Sequence, residues 1–324
     1  MSNIQTRSTM GDLGKRGLGP KFEAVFEENL ITYKGKEAAA QVFSFMNMED
    51  PVKRTTGLTG YDLPEYFGEG QPYPSTVNYK TFETLYTARN YGKSVELTEN
   101  AAKDREKVGA KLDEMANLAA KVDMHEAKAA FQILVGGAST AQTSNGIYID
   151  RYHNEELFQT DHARADGGTA QSNVSAGAIA LTETNLETGR LALVKQLTDR
   201  GLPVMDMGMI TLCVPDDLEK NAVIYTGSEQ RPSTTNNDLN YYRGRIGVLS
   251  SRWLNSEQGG SATAWYLQAK LPGMDSLLRV YRYGGPQYFE RPEDPKTGNM
   301  TYAFKHELAV GYTHWVGNWY SAGA

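Results

Sequence analysis

The chain has 324 residues, with 33 Lys and Arg against 39 Asp and Glu, and its 32 glycines make up roughly a tenth of it. That length can bury a sizeable core in one large or two modest domains. The formal charge of −6 lacks the broad basic footprint of a protein that grips nucleic acid tightly, and a single cysteine, Cys213, excludes both an intrachain disulfide framework and a zinc site of several thiolates.

Residues 1–20 carry Arg7, Asp12, Lys15 and Arg16 among Gly11, Gly14, Gly17 and Gly19, without the apolar stretch of a signal peptide. No run of about 18 uncharged apolar residues occurs anywhere. These observations predict a soluble, intracellular product with an N-terminal arm. From Lys21, the spacing of Phe22, Val25, Phe26 and Leu30 predicts a short amphipathic helix; Val42, Phe43, Phe45 and Met46 predict a second one over 37–48.

Residues 50–96 change character. Pro51, Gly57, Gly60, Pro64, Gly68, Gly70, Pro72 and Pro74 crowd the first half, and the second is rich in Thr, Tyr, Val and Phe, which suit a pleated surface. This pattern predicts a long extended hairpin. An isolated two-stranded ribbon is marginal in water, so it must lie on its own domain or on a neighbouring subunit. The aromatic residues Tyr61, Tyr66, Phe67, Tyr73, Tyr79 and Phe82 are its candidate anchors, and removal of 55–90 is expected to leave a folded subunit.

From Thr98 to Leu134 there is no proline and only Gly109. Val108, Leu112, Met115, Ala119, Val122, Ala129 and Ile133 recur at spacings of three, four or seven, which predicts one long helix with a single apolar stripe, stopped by Gly136 and Gly137. A polar connector over 160–177 leads to a second domain. There, Leu186, Leu193, Val194 and Leu197 mark a helix, with Thr184 and Glu187 spaced as a capping box and Gly201 as the stop. Residues 209–214 read as a buried strand, and Pro215-Asp216-Asp217 starts a helix with proline at its first position. Strands follow over 277–289 and 300–319, joined through a turn at 294–299.

The usual phosphate cradles are absent: Gly68-Glu69-Gly70 begins like a dinucleotide fingerprint, but Tyr73 stands where the third glycine belongs. Cys213 lies in an apolar run and reads as a core residue. His153, Glu155, Glu156, Asp161 and His162 lie within ten residues and are types that could ligate zinc or iron. They lack the helical spacings that make ligands converge, so a solvated or locally hydrogen-bonded loop is the simpler reading. A metal-dependent hydrolase using His153, Glu155, Asp161 and His162 remains the alternative from a different class. The residues imply no cofactor, no metal and no enzyme.

The order of arm, short helices, extended hairpin, long helix, inserted helix-and-strand domain and closing strands resembles the major capsid proteins of tailed bacteriophages, an α+β class of Hong Kong 97 type. Within that fold, Glu156-Leu157-Phe158-Gln159-Thr160-Asp161-His162, Gly167-Gly168, Ser172-Asn173, the stretch 181–197, Gly201-Leu202-Pro203 and Leu212-Cys213-Val214-Pro215 resemble the Mu-like major head subunit family. The resemblance implies an N-terminal arm over 1–35, the start of a peripheral domain over 36–49 and an extended loop over 50–96. The peripheral domain continues over 97–174 with its spine helix at 98–135, an axial domain spans 175–275, and closing strands occupy 276–324. It further implies pentamers and hexamers of the chain in an icosahedral shell around double-stranded DNA, without sequence-specific binding or a membrane. Assembly in the bacterial host cytoplasm, a place in the virion, a separate scaffolding protein, a portal and a possible decoration protein complete the expectation. An encapsulin-like nanocompartment shell shares the fold and is the alternative within the class.

Overall fold

The computed structural model describes residues 18–34, 38–58, 63–77, 80–204, 208–232, 238–271, 276–282, 286–291 and 296–324. Helix α1 (Leu18–Lys34) is followed by a 3-10 turn at Ala38–Gln41 and by strands β1 (Ser44–Met48), β2 (Val52–Leu58), β3 (Lys80–Thr87) and β4 (Arg89–Leu97). Next come helices α2 (Glu99–Ala102) and α3 (Arg105–Val135), strands β5 (Thr143–Ser144) and β6 (Ile147–Asp150), and helix α4 (Glu183–Val194). Strand β7 (Ile210–Val214), helix α5 (Asp216–Gly227), β8 (Ile246–Ser250) and β9 (Trp265–Ala269) follow. The chain closes with β10 (Leu277–Arg282), β11 (Gln287–Arg291), β12 (Met300–Tyr312) and β13 (Asn318–Ser321).

Of the predicted face of α1, Phe22 and Phe26 are buried in their own subunit and Val25 is half-buried. Phe22 stacks on Tyr302 with ring centroids 4.2 Å apart, and Phe26 stacks on Phe304 at 5.8 Å. The second half of the expected arm is therefore built into the core, and 1–17 lie outside the described residues. The helix predicted over 37–48 is instead a turn and a strand: Ala39, Val42 and Phe43 turn inward, after which Phe45 points to solvent and Met48 inward. A short apolar run fits either period, and pairing with β10 decides for the strand.

The apolar stripe of α3 holds as spaced, with Met115, Ala119, Val122, Ala129 and Ile133 buried. The single helix expected from 98 is interrupted once, because the sequence offers two caps. Thr98 accepts from the Ala101 amide to start α2, and Asp104 accepts from the Glu106 amide to start α3. Gly136 has φ −82° and makes no left-handed stop. The glycines after α3 give room instead: a Cβ on Gly136 would lie 2.7 Å from Ile149 Cδ1, and one on Gly137 2.7 Å from Phe158 Cδ2.

Two sheets organise the rest. The long sheet has the order β1-β10-β12-β6-β5, with β4 and β11 flanking the first half of β12. Along that half Met300, Tyr302, Phe304 and His306 face inward in alternation, against α1 and α3. The second sheet has the order β13-β9-β7-β8, and β7 and β9 are buried throughout. β11 and β12 form the predicted hairpin, but the strand read over 300–319 ends at Tyr312. Residues 313–317 turn, and β13 crosses to pair with β9 in the second sheet, so the closing strands expected together over 276–324 serve both sheets.

In the second lobe, Thr182 rather than Thr184 caps α4, accepting from the Asn185 amide. Glu187 is bound by Arg190 and Tyr242 instead of closing a capping box. α4 ends at Val194, and Gly201, at φ 74°, belongs to a separate turn that pairs Leu197 with Pro203. Pro215 is the cap of α5, one place before its first residue.

Where β12 meets β6, a Cβ on Gly311 would stand 2.0 Å from the Asp150 carbonyl oxygen and 3.1 Å from Tyr86 Cε1. Gly311→Ala must push the paired backbones of the two strands away from each other, with an expected cost of about 2 kcal/mol. A shift of the urea midpoint measures it; an unchanged midpoint would show that the strands separate freely.

Candidate assembly surfaces

The ribbon formed by β2 and β3 has a rooted base and an uncovered tip. The strands pair from Val52↔Thr87 outward, with a register shift between Thr56 and Leu58. At the base the Ala88 amide donates to the Pro51 carbonyl, closing the ribbon before β4 turns into the long sheet. The ribbon read over 50–96 thus ends at Thr87, and 89–97 form a body strand whose Val95 and Leu97 are buried. Thr84 and Tyr86 are also buried, and Thr84 Oγ1 donates to the Tyr312 carbonyl at 3.2 Å.

A charged clamp fixes the root. Arg89 donates from Nη2 to Asp150 Oδ1 at 3.0 Å and from Nη1 to Oδ2 at 3.1 Å, and the Thr87 amide donates to Oδ2 at 3.0 Å. The guanidinium lies 4.6 Å over the Tyr148 ring. Burial pushes the Asp150 carboxyl above its ordinary value, against the opposing pull of Arg89 and the Thr87 amide. Arg89→Met leaves that carboxylate without its cation. Because Arg89 is partly exposed, the expected loss is about 2 kcal/mol rather than the full cost of breaking a buried pair. Chemical denaturation reads it, and wild-type stability in the variant would rule the clamp out.

Beyond Lys80 the support stops. Over 63–77 the backbone forms no regular element, Tyr66 is 96% and Tyr73 81% exposed, and Leu63, Phe67 and Val77 also face solvent. Phe67 and Tyr73 pack on each other, with centroids 4.7 Å apart. The tip touches its own body where Arg200 Nη2 donates to the Val77 carbonyl. Glu65 and Glu69 are its charged residues, both acidic. Of the six candidate anchors, Tyr66, Phe67 and Tyr73 thus stand together on the tip. Tyr61 and Tyr79 lie outside the described residues, as does the Phe82 side chain.

The His153–His162 cluster does not converge. His162 is buried and stacked on Trp315 at 4.4 Å, with Nε2 facing Asn173 Oδ1 at 3.1 Å. Desolvation pushes its imidazole down to about 4, although Asn173 favours the charged form. His153 stacks on Tyr152, and Asp161 accepts from Gln159 Nε2. Among the described residues, no three His, Cys, Asp or Glu are grouped to hold a metal ion, and no helix is long and apolar enough to cross a membrane. Cys213 is fully buried and its thiol is pushed up to about 12 by burial, which removes it as a nucleophile at neutral pH.

Sequence reading missed the importance of Asn173, Gln196 and Asn318, all buried: Asn173 donates to the Leu157 carbonyl, Gln196 to the Asn318 carbonyl, and Asn318 to Ser276 Oγ just before β10. Asn173 stood within the Ser172-Asn173 motif; the other two carried no local signal.

A long helix laid on one sheet, a second lobe reached through the closing strands, and a ribbon rooted in the body with an exposed tip together make the capsid-subunit fold of Hong Kong 97 type. The chain belongs to the family described as phage capsid protein, whose sequence signature matches residues 81–321, and so is a component of the virion. No curated protein matches it in sequence. Its fold is similar to a protein of Mycobacterium phage Patience (11% identity, TM-score 0.55, covering 94% of this chain and 87% of that one). It is also similar to the capsid of an empty GTA particle (9% identity, TM-score 0.53, covering 89% and 90%) and to a protein of Microbacterium phage Oxtober96 (12% identity, TM-score 0.51, covering 89% and 91%). At these identities the likeness is one of fold.

Proposed function

We propose that this chain is the major capsid subunit, which closes through rings of five and six copies into an icosahedral shell around a double-stranded DNA genome. The observation that carries this reading is the ribbon tip: Tyr66, Phe67 and Tyr73 project from a segment with too few internal contacts to hold itself, so a further copy must cover them. Head-to-tail contacts of one surface with a different surface generate rings when the rotation closes. In this reading the ribbon is the extended loop, and α3 with the long sheet is the peripheral domain. The lobe built on β7, β8 and β9 is the axial domain, directed at the ring centre. The stretch from Glu156 to His162 and the motifs after it favour the Mu-like branch of the family.

The role is structural and not catalytic. Its partners are other copies of the chain, with separate scaffolding, portal and decoration proteins. Light scattering and negative-stain microscopy of the expressed protein test the proposal. Rings, shells or megadalton particles are expected, and a monomer that persists at high concentration overturns it.

A further inference from the structure

The ribbon carries opposite charge at its two ends. From Thr59 to Tyr79 the chain holds Asp62, Glu65 and Glu69 and no Lys, Arg or His. The shaft formed by β2 and β3 has the other sign. Its cross-strand register puts Val52, Arg54 and Thr56 on one face with Thr87, Leu85 and Glu83, opposite the face whose Thr84 and Tyr86 enter the core. Glu83 is the carboxylate of that outer face, and two cations attend it, Arg54 at 3.2 Å and Lys80 at 3.9 Å. Beside Leu85 the face opens into a cleft of about 410 Å³, lined also by Ile149, Arg89, Arg151 and His153. Asp150 in the cleft is already bound by Arg89, whereas Arg151 donates to the carbonyls of Gly136, Ser139 and Ala141. Positive charge is therefore in excess over the face and its cleft. Apolar surface accompanies it: Val52 is 47% and Leu85 46% exposed with the subunit's own tip in place, so that tip does not cover them.

We propose that the outer face of the ribbon shaft, from Val52 and Leu85 into the cleft at His153, is the seat for the ribbon tip of a second copy of this chain. The inference rests on the reading of the chain as a shell subunit and adds to it the surface that receives the tip.

The two surfaces match in both respects that decide docking. The tip offers Tyr66, Phe67 and Tyr73 beside Glu65 and Glu69; the shaft offers exposed aliphatic side chains rimmed by Arg54 and Lys80. A cleft of this volume has room for a tyrosine ring. Charge also selects among the pairings these surfaces could make. Tip on tip sets acid against acid, and shaft on shaft sets cation against cation, so both are penalised. Tip on shaft alone joins opposite signs. That contact uses different surfaces on the two copies, leaves each copy with a free tip or a free shaft, and so passes from one subunit to the next until a ring closes.

A charge-reversal cycle in the full-length chain tests the proposal, with the concentration at which shells form read by light scattering. Glu65→Lys with Glu69→Lys on the tip, and Arg54→Glu with Lys80→Glu on the shaft, are each expected to raise that concentration roughly tenfold. The chain with all four changes is expected to return to within about threefold of the wild type, because each contact again joins opposite signs. Melting of the unassembled subunits separates loss of contact from loss of fold. Should the shaft pair melt early, Lys80→Glu, alone and combined with Glu69→Lys, decides in its place. Assembly of either pair variant at the wild-type concentration overturns the inference and leaves the shaft to a different protein or to solvent. Four changes that assemble no better than the worse pair overturn it as well, since the tip then docks elsewhere. Failure of the wild-type chain to form rings or shells would instead remove the subunit reading, before any variant is compared.

Discussion

A chain lacking 63–77 is expected to melt with the wild type and to form no stable shells. The segment contributes nothing to the buried core, and it meets the body where Arg200 donates to the Val77 carbonyl. Covering an exposed aromatic side chain is worth roughly 1.5–3 kcal/mol. Three such residues give about 6 kcal/mol, or about four orders of magnitude in the association constant of each subunit contact. A triple replacement of Tyr66, Phe67 and Tyr73 by serine makes the same point without shortening the chain. Particle yield by sedimentation and subunit melting by calorimetry measure the two halves of the prediction. Normal shells from either variant would place the docking surface elsewhere, and a lowered melting temperature would mean that the tip is covered within its own subunit. The wider deletion of 55–90, which the ribbon's composition invites, fails for a reason the fold makes plain: it removes Thr84 and Tyr86 from the core together with Arg89 from the clamp.

Composition alone does not show where along 77–97 the exposed ribbon gives way to the buried root, because that whole stretch mixes polar residues with Thr, Tyr, Val and Phe. What separates them is which stretch of β3 lies against β12, a contact between Thr84 and Tyr312 that spans 228 residues. The stripe of α3 was legible for the opposite reason: its information is local, repeated over many turns, and tolerant of one interruption at Asp104. The exposed tip aromatics were legible because proline and glycine on both sides deny them a core of their own. Residues 37–48 were not, since the apolar side chains from Val42 to Met48 fit a helix or a strand until β10 supplies a partner. Gln196 and Asn318 left no trace: they are 122 residues apart in the chain, and a buried polar pair has no period to reveal it.

Acid will weaken this subunit through His162. Burial holds the folded imidazole at about 4, whereas an unfolded histidine titrates near ~6.5. Between these values the unfolded chain takes up a proton that the folded chain refuses, so the free energy of unfolding falls as pH drops. The full stability is present above pH ~6.5, each unit below it removes roughly 1.4 kcal/mol, and the total loss approaches about 3 kcal/mol near pH 4. His125, whose imidazole is lowered by burial and by Lys128, pulls in the same direction. Glu187 and Glu307, held low chiefly by Arg190 and Lys305, lose their contributions only once pH falls below the ordinary carboxylate range. Asp150, raised by burial, shifts in the opposite sense and offsets part of the decline, so it is the comparison with His162→Gln between pH ~6.5 and ~4.5 that isolates this histidine. Denaturant unfolding at intervals across that window should show a steep decline for the wild type and a shallower one for the variant. Parallel declines would mean that His162 is charged in the folded subunit, and that its stack on Trp315 and its bond to Asn173 accommodate a cation.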